Sequence, residues 1–269
     1  MQVCYFGTDS HRLYGVIHND VDSTQTALVL CPPFAEEMVA TYARFATWSK
    51  QLAEQGIPVL RFHPYGTGES GGTSADFTLE SAIHDACTAL EFAREQIAPV
   101  RLGYFGVRLG ATIAVLAALH HPVDLLVMWS PIINIRQYMR ELFRAQLTNQ
   151  MVHHGLTRVG RNTQDMILDL EHGQSIDLLG YEFSPQLYRE MAAGWEWPEE
   201  APAKHTLWLA RTTEEKPASV LVDRWQASRS RVDFTVLPEP AFWEEYTSVF
   251  PGSFAATTLG WLKQSAETR

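Results

Sequence analysis

The sequence predicts an α/β fold: a mostly parallel central sheet with helices on both faces and an inserted cap. Three observations carry this. Strand-length apolar runs alternate with helical-period segments from Thr26 to Ser130, the order that builds a parallel sheet through helical crossovers. The runs Thr26–Cys31 and Asp124–Ser130 are apolar without a period-two pattern, as strands covered on both faces are. The stretch Leu102–Thr112 places an apolar run, a tight turn bracketed by Gly106 and Gly110, and an alanine-rich helix reaching about His121 in succession.

The elements follow in order. Residues 3–18 read as two short strands around the turn Gly7-Thr8-Asp9-Ser10. Asn19 to Gln25 is a polar loop. The strand Thr26–Cys31 stops at Pro32-Pro33, and Phe45, Trp48 and Leu52 mark a helix from Ala40 to about Gln55, closed by Gly56. A strand at Ile57–Phe62 leads into a loop dense in turn formers, His63 to Gly72, and a helix from about Leu79 to Gln96. Beyond Ser130 the alternation breaks. Tyr138, Leu142 and Leu147 suggest an amphipathic helix; Met166–Leu170 and Ser175–Leu179 read as a hairpin; Ser184-Pro185 opens another helix. Residues 132–202 are therefore expected to form a cap inserted into one domain spanning 1–269. Alternation resumes with the strand His205–Ala210, a helix at about Ala218–Ser228, the strand Val232–Val236 and a last helix at Gly252–Gln264.

Composition narrows the partners. Twenty-one basic and 31 acidic residues give a formal charge of −10, which argues against a nucleic-acid footprint. Cys4, Cys31 and Cys87 are too scattered for a disulfide framework or a zinc site, and the pairs His120-His121 and His153-His154 lack metal-ligand spacing. No cofactor is expected. Without a signal-like N-terminus or an apolar run near membrane-spanning length, a cytoplasmic protein without a membrane partner is expected, acting on a small molecule. The sequence assigns no oligomeric state.

Four segments carry a resemblance to a known family: Leu30-Cys31-Pro32-Pro33-Phe34-Ala35-Glu36-Glu37-Met38, Tyr65-Gly66-Thr67-Gly68-Glu69-Ser70-Gly71-Gly72, Gly106-Val107-Arg108-Leu109-Gly110-Ala111 and Leu179-Gly180-Tyr181-Glu182-Phe183-Ser184-Pro185. The chain resembles the α/β-hydrolases of the serine-aminopeptidase-like group, and within it the exosortase-associated hydrolases. The resemblance implies the α/β-hydrolase fold and a pocket between cap and elbow.

On this fold the nucleophile occupies the centre of a Gly-x-Ser-x-Gly elbow, followed in chain order by an acid and a histidine. Here the elbow residue is Arg108, and a guanidinium cannot attack a carbonyl. The acid loop offers Glu214 and Glu215, which also suit a helix N-terminus. The base loop, Pro238 to Glu245, has no histidine; Ala241-Phe242-Trp243 stands there, and the last histidine of the chain is His205. Oxyanion donors would be the backbone N–H groups of Phe34 and Leu109. Arg108 at a helix N-terminus favours an anion, either a ligand carboxylate or phosphate or an internal Glu36 or Glu37.

Three functions remain open. The first is a ligand-binding or accessory protein for a small acyl or anionic compound, with Phe34, Leu109 and Trp243 against the ligand. The second is an enzyme of non-serine chemistry (lyase, cyclase or acyl transfer) using Arg108 with Glu36, Glu37 or His63. The third is an esterase- or thioesterase-type hydrolase with a displaced nucleophile, Cys31 being the first suspect.

Overall fold

The computed structural model describes residues 1–19, 25–154, 162–228, 231–244 and 250–267, with side chains to 148 and 265 in the helices that end at 154 and 267. Its eight-stranded sheet runs β1 (Gln2–Thr8), β2 (His11–His18), β4 (Val59–His63), β3 (Thr26–Cys31), β5 (Arg101–Val107), β6 (Val123–Trp129), β9 (Ala203–Arg211), β10 (Arg231–Leu237) across its width. β1 and β2 are antiparallel, β2 joins β4 antiparallel, and every other pair is parallel. The fold is that of an α/β-hydrolase.

Both sheet faces are covered, which explains the unbroken apolar strands. On one face α1 (Glu36–Glu54) and α8 (Gly252–Glu267) pack Phe45, Trp48, Leu52, Phe254 and Leu262 against Phe105, Val107 and Trp129. On the other, α2 (Leu79–Ile97), α3 (Leu109–His120) and α7 (Glu215–Gln226) meet Leu102, Tyr104, Leu126 and Trp208. α3 has no polar face: of its residues only Leu116, Leu119 and His120 escape full burial. Both elbow glycines are needed for its close approach. A Cβ on Gly106 would collide with the backbone of Ala111, and one on Gly110 with the carbonyl oxygens of Cys31 and Pro32.

The insertion between β6 and β9 holds α4 (Ile135–His154), α5 (Thr163–Glu171), the two-stranded ribbon β7 (Ile176–Leu178) and β8 (Tyr181–Phe183), and α6 (Pro185–Ala193). The expected hairpin is displaced here. Met166–Leu170 is helical, because Asn162 accepts from the backbone N–H groups of Gln164 and Asp165 while Asp165 answers the Asn162 N–H, a capping box. The hairpin forms one segment later, turning at Leu179-Gly180, both at positive φ. Ser184 caps α6 as expected, accepting from the Leu187 N–H at 3.2 Å. Of the expected loop 19–25, residues 20–24 lie outside the described residues, as do the side chains of His153 and His154.

α1 begins at Glu36, a turn earlier than its apolar pattern suggests. The two glutamates therefore stand in a helix first turn, where the dipole favours them. Among the described residues no helix is long and apolar enough to cross a membrane.

The loop after β4 is held by His63. Its Nδ1 accepts the Glu69 N–H at 3.0 Å, its carbonyl accepts the Ser70 hydroxyl, and its ring packs near Tyr14 and Tyr42. The residue is a turn anchor on this geometry, and burial, assisted by Arg61, pushes its imidazole down to about 4.

Candidate functional site

The site is built where two parallel strands end side by side. β3 and β5 pair through Cys31 and Gly106, and each is followed by a strained turn into a helix. Arg108 precedes α3 at φ 54, ψ −123, and Ala35 precedes α1 at φ 51, ψ −127. Such backbone persists only where surroundings over-determine it. For Arg108 they do: its N–H donates to the Trp129 carbonyl at 3.0 Å, and its own carbonyl accepts from Ala111 and Thr112. The twin turns direct Glu37 and Arg108 toward each other at the carboxyl ends of the strands, where ligands gather in open α/β sheets.

Arg108 is nearly enclosed, at 9% exposure. Its Nε donates to Glu37 Oε1 at 3.2 Å, and its Nη2 lies 3.7 Å from Glu141 Oε2. The Tyr138 hydroxyl donates to the second Glu37 oxygen at 3.1 Å. The guanidinium carbon sits 4.3 Å from the Trp243 ring centre and 5.4 Å from that of Tyr138. Arg211 also approaches Trp243, at 5.0 Å, and is itself held by the Glu239 carbonyl and by Glu214.

Burial drives the electrostatics. Desolvation pushes the Glu37 carboxyl above its ordinary range, while Arg108 and the Tyr138 hydrogen bond pull it back only in part. Burial and then the neighbouring Glu37 push the Tyr138 phenol well up. Burial is the largest single influence on Arg108 and disfavours its charge, but Glu37, Tyr138 and Glu214 together outweigh it and hold the guanidinium charged.

Two cavities of about 290 Å³ each adjoin this cluster. Arg108, Tyr138, Glu141, Trp243 and Glu244 line both. Arg211, Gln137 and Glu214 are among the other residues of the first; Glu36, Glu37, Leu142 and Leu179 are among those of the second.

The expected residues are thus partly gathered. Arg108, Glu36, Glu37 and Trp243 meet at these cavities, and the carboxylate bonded to Arg108 is Glu37. Phe34 puts its ring among Phe77, Tyr181 and Phe183, and Leu109 is fully buried; neither side chain lines either cavity. Cys31 is 1% exposed in the core, and desolvation pushes its thiol far up. The geometry does not bring it to the cluster. His205 lies at the amino end of β9, its Nε2 3.0 Å from Asp233, and so away from the carboxyl-end site. Tyr138, Glu141 and Arg211 are the residues that sequence reasoning missed. Glu141 left little signal, an exposed acid one turn from Tyr138 at the border of the buried face of α4.

Residues 23–202, well over half of the chain, match the model of the family described as serine aminopeptidase, S33. The chain belongs to the serine aminopeptidase, S33 family. No curated protein matches it. Among solved structures this S33-family chain is similar to DcsB in complex with its substrate analogue, at 13% identity and a TM-score of 0.66, covering 98% of this chain and 99% of that one. It is equally similar to Est1E from Butyrivibrio proteoclasticus bound to ferulic acid, at 13% identity and a TM-score of 0.66 over 97% and 99%. The α/β hydrolase GrgF from Penicillium sp. sh18 matches at 17% identity and a TM-score of 0.64, over 98% of each chain. At these identities the likeness establishes the fold.

Proposed function

We propose that this S33-family protein binds a small acyl or anionic compound at Arg108, as a ligand-binding or accessory protein without Ser–His–Asp chemistry. The observation that supports it is the state of Arg108. The residue at the elbow is a charged guanidinium, committed through Nε to Glu37 and stacked on Trp243, yet it lines both cavities. Of its five N–H donors, one is hydrogen-bonded to a described residue. The others, beside Arg211, suit the oxygens of a carboxylate or phosphate.

Size argues for a small ligand. Each cavity, at about 290 Å³, falls below the range of drug-sized sites. Residues 132–202 act as the cap in this reading, supplying Tyr138, Glu141, Leu142 and Leu179 to the walls. The backbone N–H groups expected as oxyanion donors belong to Phe34 and Leu109, which line neither cavity, so in this reading the ligand is held by Arg108 and not by them. The run Pro32–Met38 taken with Arg108 is what relates the chain to the exosortase-associated hydrolases, and a cytoplasmic location fits that assignment.

A second reading rests on Glu37. A buried carboxyl pushed upward, hydrogen-bonded by Tyr138 and open to a cavity, has the character of a general acid or base. It would serve a lyase, cyclase or acyl transfer in which Arg108 steadies developing negative charge. A displaced Cys31 nucleophile has less support, given the burial of that thiol.

Calorimetric titration with hexanoate and with inorganic phosphate tests the main reading. Wild type is expected to bind at least one of them. Arg108→Lys keeps the charge but loses the planar fork, and its affinity is expected to fall by about tenfold or more, the scale of one charge-assisted hydrogen bond. Equal affinity in both proteins would remove Arg108 from ligand binding.

A further inference from the structure

A second cluster of polar side chains lies apart from Arg108, where the start of β2 and the loop after β4 meet the first half of α2. It comprises His11, His84 and Asp85, whose ligating atoms all lie within 4.8 Å of one another. His11 Nε2 is 2.6 Å from Asp85 Oδ1, and His84 Nδ1 is 3.8 Å from the same oxygen.

Asp85 is fully buried. A carboxylate withdrawn from water requires compensating charge or hydrogen bonds. Its second oxygen accepts the Tyr65 N–H at 2.7 Å, which fixes the carboxylate plane. The His11 ring stacks on Tyr65 with centroids 4.0 Å apart, which fixes the imidazole. Two of the three groups are thus oriented by a supporting shell, the arrangement that metal ligands use. His84 differs: its side chain is 70% exposed and free to close or open the set.

We propose that His11, His84 and Asp85 form a binding site for a zinc-class divalent transition-metal ion. The donor set is two imidazole nitrogens and one carboxylate, which such ions accept in tetrahedral sites with water in the remaining position. Bond lengths near 2.0–2.2 Å place tetrahedral ligands about 3.3 Å apart. The observed 2.6 and 3.8 Å separations bracket that spacing. The ion takes the place of the proton shared between His11 and Asp85, and a rotation of His84 completes the set. Its charge offsets the buried carboxylate. The exposed side of the site opens beside a groove of about 680 Å³ that His84, His120 and His121 line together with Leu79, Ile83 and Cys87. The site is independent of Arg108, so its failure leaves the proposed function untouched.

The test is titration of the full chain, with any affinity tag removed, using Zn²⁺ by calorimetry and Co²⁺ by visible absorption. One equivalent per chain is expected, with a d–d band of low-symmetry coordination. His84→Gln, exposed and so safe for folding, is expected to raise the dissociation constant by about tenfold or more, since even supporting residues cost 10–100-fold. His11→Gln is expected to do the same while near-native circular dichroism checks its fold. The substitution pair His120→Gln/His121→Gln is expected to change nothing. Absence of stoichiometric binding, or loss of it in the His120/His121 variant with retention in His84→Gln, would overturn the proposal.

Discussion

Glu37→Ala is expected to lower stability by about 3–5 kcal/mol, the cost of stranding one member of a buried ion pair. For a chain of this size that is a fall in Tm of roughly 6–20 °C, measurable by scanning calorimetry. The reasoning is local. Glu37 and Arg108 have side chains only 13% and 11% exposed. Removing the carboxylate leaves a charged guanidinium whose remaining described ion-pair partner is Glu141, at 3.7 Å and itself half exposed. It also leaves the Tyr138 hydroxyl without its acceptor. The double substitution Glu37→Leu/Arg108→Met is expected to recover most of the loss, because a matched apolar pair often equals or exceeds a buried ion pair. If Glu37→Ala costs less than about 1 kcal/mol, the range of exposed pairs, Arg108 is solvated and the cluster is not enclosed.

The second large effect is set by pH and belongs to His63. Its imidazole is held down at about 4 against an ordinary 6.5, so the folded state prefers it neutral. A group depressed in this way contributes stability that is present above pH 6.5 and is lost as pH falls toward 4. The full shift corresponds to a loss on the order of 3 kcal/mol by about pH 4. Physically, a second ring proton would abolish the Nδ1 acceptor that holds the Glu69 N–H and would place charge beside Arg61. His63→Asn keeps an acceptor near that place without the titration. The stability gap between wild type and His63→Asn, measured by urea unfolding at pH 7 and pH 4, is expected to shift against wild type by about that amount. A gap that does not move with pH would show that the imidazole titrates freely.

The fold was legible in the sequence because its strongest signals are local. A doubly covered strand shows itself as an unbroken apolar run, as Thr26–Cys31 does, and Gly106 and Gly110 announce a close strand–helix approach that the structure bears out. Where two local signals compete, reading failed. Met166 and Leu170 fit a strand run, but they are also a helical turn apart, and the Asn162–Asp165 cap decided for the helix. The site was legible only in part for a different reason. Arg108 and Trp243 sit on turns, and Glu37 in the first turn of α1, at places the fold dictates. Tyr138 and Glu141 arrive on α4, about a hundred residues beyond Glu37, and nothing local ties a buried tyrosine to a distant carboxylate. Arg211 reached Trp243 in the same way. Cys31 shows the converse: a place beside the site in sequence that the strand turns inward.

The proposed function makes one claim above the others: with Arg108 at the elbow, enclosed by Glu37, Tyr138 and Trp243, the nucleophile position does not carry serine-hydrolase chemistry. Treatment of the native protein with an excess of a fluorophosphonate probe, read by intact mass and peptide mapping, tests it most directly. The account predicts a chain of unchanged mass. A stoichiometric adduct on any serine would contradict it.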